Sequence, residues 1–191
     1  MALASMSDLM LAELRDLYSA EHQLVMALPT IATGVAAPRL RKAFTHALDE
    51  AHDHVVRLAH IFKLLGEKPR GPKCEGMAAL ISDAVLMIVS DGHDSVRDAG
   101  IVAAAQRFVH FEIAAYGSSI ALATLLAHTP VSDLLGESLK EVRRSSELLA
   151  EIAEEDIHTT APAFDEDSDD EEGGAWWRPR RRSAGLSASS W

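Results

Sequence analysis

The sequence predicts an all-α protein, a four-helix bundle in which one long crossover joins two helical hairpins. Apolar residues make up 48% of the chain and aromatic residues only 5%, and this composition, dominated by alanine and leucine, favours helices. Apolar side chains recur every three or four positions over four long segments, as in helices with one buried stripe. A connector of about 28 residues, from Gly66 to Asp94, is long enough to run the length of the bundle between the two pairs.

The first predicted hairpin covers residues 7–34 and 38–65. The pair Ser7-Asp8 offers a cap for the start of the first helix, and Gly34 offers a place for it to end. Pro38 suits the first turn of the second helix. Because the turn between them is short, we expect the two helices to be antiparallel neighbours.

The second predicted hairpin covers residues 94–127 and 132–157, again with a short turn. In the connector, residues 67–73 are rich in proline and glycine, and residues 75–89 have the pattern of a shorter helix. We therefore expect one helical domain over residues 1–160.

Charge and cysteine content exclude several classes of protein. A formal net charge of −11 argues against a surface that binds nucleic acid. The single cysteine, Cys74, excludes a disulfide within the chain. No cationic segment precedes an apolar run at the start, and no apolar run reaches the length of a membrane span. We expect a cytoplasmic protein without a membrane span.

Three polar residues fall on or beside the apolar stripes of the first hairpin. Glu21 occupies the centre of the first stripe, where an ionised carboxylate is costly unless it is paired or bound to a metal. On the second helix, His54 lies inside the stripe and Glu50 lies at its edge one turn earlier. Helical bundles hold metal ions with carboxylate and imidazole groups stacked in this way. Glu21, Glu50 and His54 are therefore candidate metal ligands.

Two other interpretations of these residues remain open. Further charged residues crowd the turn around His54, so this part of the helix could simply be solvated. Alternatively, the three candidate ligands form a buried cluster without metal, hydrogen-bonded to Gln106 and Tyr116 of the third long helix.

Four blocks of the sequence stand in an order that is typical of one known family. They are LRDLYSAE (14–21), LLGEKP (64–69), KCEGM (73–77), and AAQR with HFEIAAYG (104–107 and 110–117). Over about residues 7–157 the chain resembles the YciE/YciF family of ferritin-like bacterial stress proteins. The resemblance implies a ferritin-like bundle, a dimer and a dinuclear metal site at the bundle centre.

The resemblance also assigns roles to the candidate ligands. Glu21 matches the first carboxylate of the family. Glu50 and His54 match the second carboxylate and its companion one turn later. The first hairpin thus keeps the ligand set that the resemblance implies.

The second hairpin departs from the family at three ligand positions. Val109 and Val142 stand where the family has glutamate, and Ser146 stands where it has aspartate. By the pseudo-repeat between the hairpins, each is the counterpart of one candidate ligand in the first hairpin. We therefore expect half a site, which binds one Fe or Mn ion. Glu112 and Glu141, about 60° from the stripe centres, are candidate edge ligands that could swing inward.

Two functions follow from these alternatives. One is a ferritin-like metal protein that handles iron, peroxide or oxygen under stress, whether or not it is an enzyme. The other is a metal-free structural or interaction bundle, which acts as a homodimer or as the partner of a paralogue with a complete site.

The composition changes abruptly after residue 160. Residues 165–172 form an acidic block that is expected to be disordered, because it has no apolar surface to bury. Residues 175–182 then interleave tryptophan and arginine, a pattern that could contact an anionic partner. An inert tail is the interpretation that the composition favours.

Overall fold

The computed structural model describes residues 3–162 as an all-helical fold, and no strand occurs in this part of the chain. Predictions about the acidic and Trp/Arg-rich tail concern residues outside this range. The helices are α1 (Met6–Gly34), α2 (Pro38–Leu64), α3 (Glu75–Ile88), α4 (Asp94–Leu125) and α5 (Thr129–Ile152), followed by a π-helical turn, Ala153–Ile157. The all-α prediction is confirmed, and the predicted bounds agree to within three residues except at the π-helical end.

The first helix begins earlier than predicted because Ser5, and not Ser7-Asp8, caps it. The backbone N–H of Asp8 donates to Ser5 Oγ at 3.1 Å. In return, Asp8 Oδ2 accepts from the Ser5 hydroxyl at 2.8 Å and from the backbone N–H of Ala4 at 3.1 Å. This reciprocal arrangement satisfies donors that a helix start leaves free.

The second helix has no side-chain cap of its own, and a residue of α4 supplies one. Asp98 is only 2% exposed, and its two oxygens accept from the backbone N–H groups of Ala36 and Ala37 at 3.0 and 2.7 Å. A buried carboxylate at the start of a helix is favoured by the helix dipole as well as by these bonds. Asp98 therefore ties the α1–α2 turn to α4.

The four long helices enclose one interior. α1 pairs with α2 and α4 with α5, while α1 also packs against α4 and α2 against α5. α3 lies in the crossover and packs along α1 and α4. It approaches closely at Gly34, where an added Cβ would lie 2.7 Å from Ile88, and at Gly100, where one would lie 2.8 Å from Met87. Residues at mid-length of α1, α2, α4 and α5 therefore meet inside the bundle.

α4 buries a wider face than its sequence predicts. Val109, the predicted centre of its stripe, is buried, but so are Phe108 and Glu112. The reason is that α4 contacts α1, α3 and α5 at once, which leaves one exposed stripe, with Arg107 and His110 in it. The buried stripe that the sequence predicts for α4 assumes contact with fewer helices. It is therefore narrower than the face that α4 buries.

α4 is also the one helix among residues 3–162 that is long and apolar enough to cross a membrane. Its best window has a mean hydropathy of 1.3. The sequence-based expectation that no such run exists was therefore too strict. Core helices of other proteins pass the same test, and α4 packs between α1, α3 and α5 with Asp98 and Glu112 buried. These features are those of a core helix.

Candidate metal centre

Three buried polar side chains meet at the middle of the bundle. Glu21 of α1, His54 of α2 and Glu112 of α4 are 0%, 2% and 5% exposed. One ligand atom from each residue lies within 4.8 Å of the others. Glu21 and His54 lie where their stripe positions placed them. Glu112 does not lie at an edge, as the sequence suggested, but inside the cluster.

Each residue of this triad takes one place in a buried helical stripe. The buried residues one turn to either side are Leu17 and Leu24 in α1, Ala51 and Leu58 in α2, and Phe108 and Tyr116 in α4. Positions three or four apart share a helix face. Burial of the apolar neighbours therefore directs each polar side chain into the interior. The Phe108–Glu112–Tyr116 spacing is the sequence signal that could have identified Glu112.

Both ring nitrogens of His54 face carboxylate oxygens. Nδ1 lies 3.2 Å from Glu21 Oε1, and Nε2 lies 3.0 Å from Glu141 Oε2. Arg57 holds Glu141 in place with two bonds, at 2.9 and 3.3 Å. Glu141 is thus bonded to the far side of the imidazole and not aimed into the triad. There it accepts the Nε2 proton, which directs Nδ1 towards Glu21 and orients the ring.

The neighbouring charges control the protonation of this pair. Burial lowers the pKa of His54, but the hydrogen bonds and charges of Glu21 and Glu141 outweigh burial, so the pKa is raised. Burial raises the pKa of Glu141, but Arg57 and His54 more than offset that effect and lower it. With its proton on Nε2 alone, His54 would direct a lone pair at Glu21. Either a second proton or a cation must therefore lie between Nδ1 and Glu21.

The two oxygens of Glu21 differ in their partners. Oε1 faces His54 and accepts a hydrogen bond from the Tyr116 hydroxyl at 2.6 Å. Oε2 is buried and has no hydrogen-bond partner among the described residues. A buried carboxylate oxygen without a partner is costly. It therefore marks a position for a proton or a cation.

Glu112 supplies the proton when no cation is present. Burial, then the charge and hydrogen bonding of Glu21, and then the charge of Glu50 raise the pKa of Glu112 well above its usual range. Only a protonated Glu112 can donate a hydrogen bond to the carboxylate of Glu21. Burial and the charge of Glu21 also raise the pKa of Tyr116, so its phenol remains a donor.

Glu50 lies outside the triad, at the seam between α2 and α5. Its Oε2 accepts from the Ser145 hydroxyl at 2.7 Å, and its Oε1 lies 3.5 Å from His46 Nδ1. Glu50 lies near the cluster, as its position on the second helix predicts. Its carboxylate is not one of the groups that converge, which are those of Glu21, His54 and Glu112.

A small cavity beside the triad has a mixed polar and apolar lining. Glu50, His54 and Glu112 contribute polar groups, and Val109 and Val142 contribute apolar groups. Its volume of about 30 Å³ can hold roughly one water molecule or ion. Glu112, predicted as an edge ligand of α4 that could swing inward, is among the residues that line this space.

Gln106, an expected partner of the cluster, bonds elsewhere. Its amide donates to the Ser146 carbonyl at 3.0 Å and accepts from the Ser146 hydroxyl at 3.1 Å. The pair links α4 to α5, away from the triad's hydrogen bonds. Tyr116 is the expected partner that the structure does bring to Glu21.

The donor set fits one transition-metal ion. Two carboxylate oxygens and one imidazole nitrogen beside a water-sized cavity match mononuclear sites for iron, manganese or zinc. The unpartnered Oε2 of Glu21 agrees with this fit. A second ion would need bridging carboxylates, and Val109 and Val142 offer none on their side of the cavity.

Similarity to known proteins extends over the whole bundle. Residues 5–162 match the family described as "Domain of unknown function (DUF892)". Protein YciF of Escherichia coli (strain K12) is 33% identical over 162 residues, which cover 84% of this chain and 98% of that protein.

Three solved structures share the fold. The crystal structure of the E. coli stress protein YciF has a TM-score of 0.77 at 34% identity, covering 78% of this chain and 95% of that one. YcfI from Rhodopseudomonas palustris has a TM-score of 0.75 at 36% identity, with 78% and 94% covered. A Xanthomonas campestris protein, with a TM-score of 0.63 at 16% identity and 78% and 92% covered, is alike in fold alone.

Proposed function

We propose that this chain, which belongs to the YciE/YciF family (DUF892) of ferritin-like bundles, binds one Fe(II) or Mn(II) ion through Glu21, His54 and Glu112. The observation that carries the proposal is the buried Oε2 of Glu21, which has no partner among the described residues although a histidine and a second carboxylate converge beside it. A divalent ion there would replace the protons that the metal-free cluster needs.

The surrounding residues would hold such a site in shape. Arg57 fixes Glu141, Glu141 accepts the Nε2 proton of His54, and the ring then offers Nδ1 as a ligand. Tyr116 donates to Glu21 and fixes that carboxylate from the α4 side. When bound, the metal would supply an open coordination position beside the cavity, where water or a small oxidant fits.

A link to stress is proposed on the description of the E. coli relative as a stress protein. A cytoplasmic location is proposed on the sequence alone. Dinuclear oxidase chemistry is not proposed, because Val109 and Val142 replace the carboxylates that would bridge a second ion.

Metal analysis of the full-length protein tests the proposal. After equilibration with Mn(II), or with Fe(II) without oxygen, we expect one ion per chain. Glu112→Gln should lose the ion, because an amide cannot replace a carboxylate as a charged ligand. Glu147→Gln removes an exposed glutamate of α5 and is the matched control, which should keep full occupancy. Wild-type protein that retains no ion would refute the proposal.

The second candidate is a metal-free interaction bundle. It is favoured by the continuous hydrogen-bonded chain of Arg57, Glu141, His54, Glu21 and Tyr116, which joins all four long helices without an ion. In that case the protein would act as a homodimer or as the partner of a paralogue with a complete site. A dimer by light scattering, combined with no retained metal, would favour this function.

A further inference from the structure

Glu50 borders both the internal cavity and the protein surface. Its carboxylate helps line the cavity next to His54 and Glu112, yet its side chain is 18% exposed. On the outer side it faces His46, whose side chain is 69% exposed. The Ser145 hydroxyl holds its other oxygen at 2.7 Å. Glu50 is thus a fixed carboxylate between solvent and the triad.

Small side chains line the seam between α2 and α5 beside Glu50. Ala47 of α2 and Ser145 of α5, both small and half-buried, line the cavity from either side of Glu50. A second hollow of about 20 Å³ shares Ala47 and Ser145 with the first, as well as Phe108 and Val109. The two hollows are therefore neighbours along the seam, and the exposed side chain of Leu148 lines the second.

The other sides of the triad are less open to a cation. Beyond His54, the Arg57 guanidinium bonds Glu141 and Ser138 and places a positive charge beside the ring. Glu21 projects inward from α1 and is fully buried. Repulsion by Arg57 further along the α2–α5 seam and close packing around Glu21 leave the part of that seam beside Glu50 as the route of lowest resistance.

We propose that divalent cations reach the centre through the α2–α5 seam, between Ala47 and Ser145, and that Glu50 attracts them there and passes them to the triad. The inference rests on the proposed function, since it concerns the route to the same site. A carboxylate at the mouth of a cleft with apolar walls raises the local cation concentration and the association rate. Glu50 is a positioning residue for the ion in transit and not one of its three final ligands.

The test measures the rates at which Co(II) associates with, and is released from, the full-length protein prepared without metal. The visible absorption of bound Co(II) reports both rates. Ser145→Val and Ala47→Val add bulk to the seam from opposite sides, so at least one folded variant should be obtained. Each should slow association and release by the same factor, about tenfold, and so leave the dissociation constant unchanged. Ala150→Val adds similar bulk on the exposed face of α5 and should change neither rate.

Glu50→Gln separates a role in transit from a role as a ligand. We expect one bound Co(II) per chain at saturation and association slower by about tenfold or more. Loss of the ion at saturation would make Glu50 a ligand and overturn the inference. Unchanged rates in both valine variants would overturn the route while leaving the metal site intact. A wild-type protein that binds no Co(II), Fe(II) or Mn(II) would overturn the proposed function itself, and the route with it.

Discussion

The surroundings of His54 decide what the centre of this protein can hold. The ring lies between two carboxylates, at 3.2 Å from Glu21 and 3.0 Å from Glu141. Because one ring nitrogen of a neutral imidazole is an acceptor, this position requires a second proton or a cation. Glu112 adds a carboxyl group whose pKa is raised by burial and by Glu21. A bound metal ion would therefore compete with protons for the same few atoms.

The stability of the metal-free protein should fall as pH rises through neutrality. Glu112 has a folded-state pKa raised above its usual 4.5, so the stability linked to its proton is complete below that value and is lost as pH rises through the folded-state pKa. The raised pKa of His54 acts in the same direction above 6.5. Urea unfolding at a series of pH values from about 5.5 to 8.5 measures the effect across this window.

Glu112→Gln should remove much of this slope and stabilise the metal-free protein above neutral pH. Glu147→Gln should retain the slope of the wild type, since Glu147 is exposed. At acid pH, Glu141 acts oppositely, because its pKa is lowered and its stabilisation is lost on protonation. A protonated Glu112 requires the free energy of unfolding to fall between about pH 6 and 8. A metal-free wild type that instead gains stability over this range would contradict the assignment.

Restoring two carboxylates at valine positions of the cavity should create a second ion site. Val109 and Val142 line the same cavity as Glu50 and Glu112, so Val109→Glu with Val142→Glu would add two acidic groups to its lining. Metal analysis should then give two Mn(II) per chain in the double variant. Without metal, the variant should be less stable than the wild type, because buried carboxylates repel one another. One ion per chain in the folded double variant would contradict the view that Val109 and Val142 prevent the binding of a second ion.

At the scale of elements, α4 joins the two hairpins at two points. Near its start, Asp98 caps the α1–α2 turn, and at its middle, Glu112 and Tyr116 enter the buried cluster around Glu21 and His54. At both points, polar side chains with defined hydrogen-bond partners stand where a helix bundle usually has apolar contacts. α4 is therefore positioned by specific bonds as well as by burial.

Asp98→Asn should destabilise the bundle by about 2–3 kcal/mol, since the buried, charged acceptor of two backbone N–H groups is replaced by a neutral amide. Chemical denaturation measures the change. Asp91→Asn alters an exposed acidic residue near the start of α4 and should change stability by less than about 0.5 kcal/mol. Equal stabilities of the two variants would show that the cap contributes little.

For the whole molecule, the bundle should not depend on the C-terminal segment. Residues 163–191 have an acidic and then a Trp/Arg-rich composition without an amphipathic stripe. Truncation after residue 162 should therefore leave helicity and Tm nearly unchanged, which circular dichroism and a thermal scan would measure. A decrease in Tm of more than about 5 °C, near 2 kcal/mol for a domain of this size, would contradict the expectation.

The helices, their order, the long crossover and the inward positions of Glu21 and His54 could all be deduced from the sequence. These features depend on local signals: a repeat of three or four residues, prolines and glycines at the ends, and connector length. The family resemblance implied Glu21, Glu50 and His54 as ligand positions, and Glu21 and His54 converge in the structure. Val109 and Val142 were predicted as apolar residues of the interior, and they are buried there.

Tertiary structure alone decided which carboxylates converge. Glu112 enters the triad because α4 is enclosed by three helices, and Glu141 moves to the far side of His54 because Arg57 holds it there. Glu50 is drawn to the α2–α5 seam by Ser145. A helix's own periodicity gives the direction of a side chain to within a fraction of a turn. The partner that meets it comes from another helix, so only the packing of the bundle determines the contact.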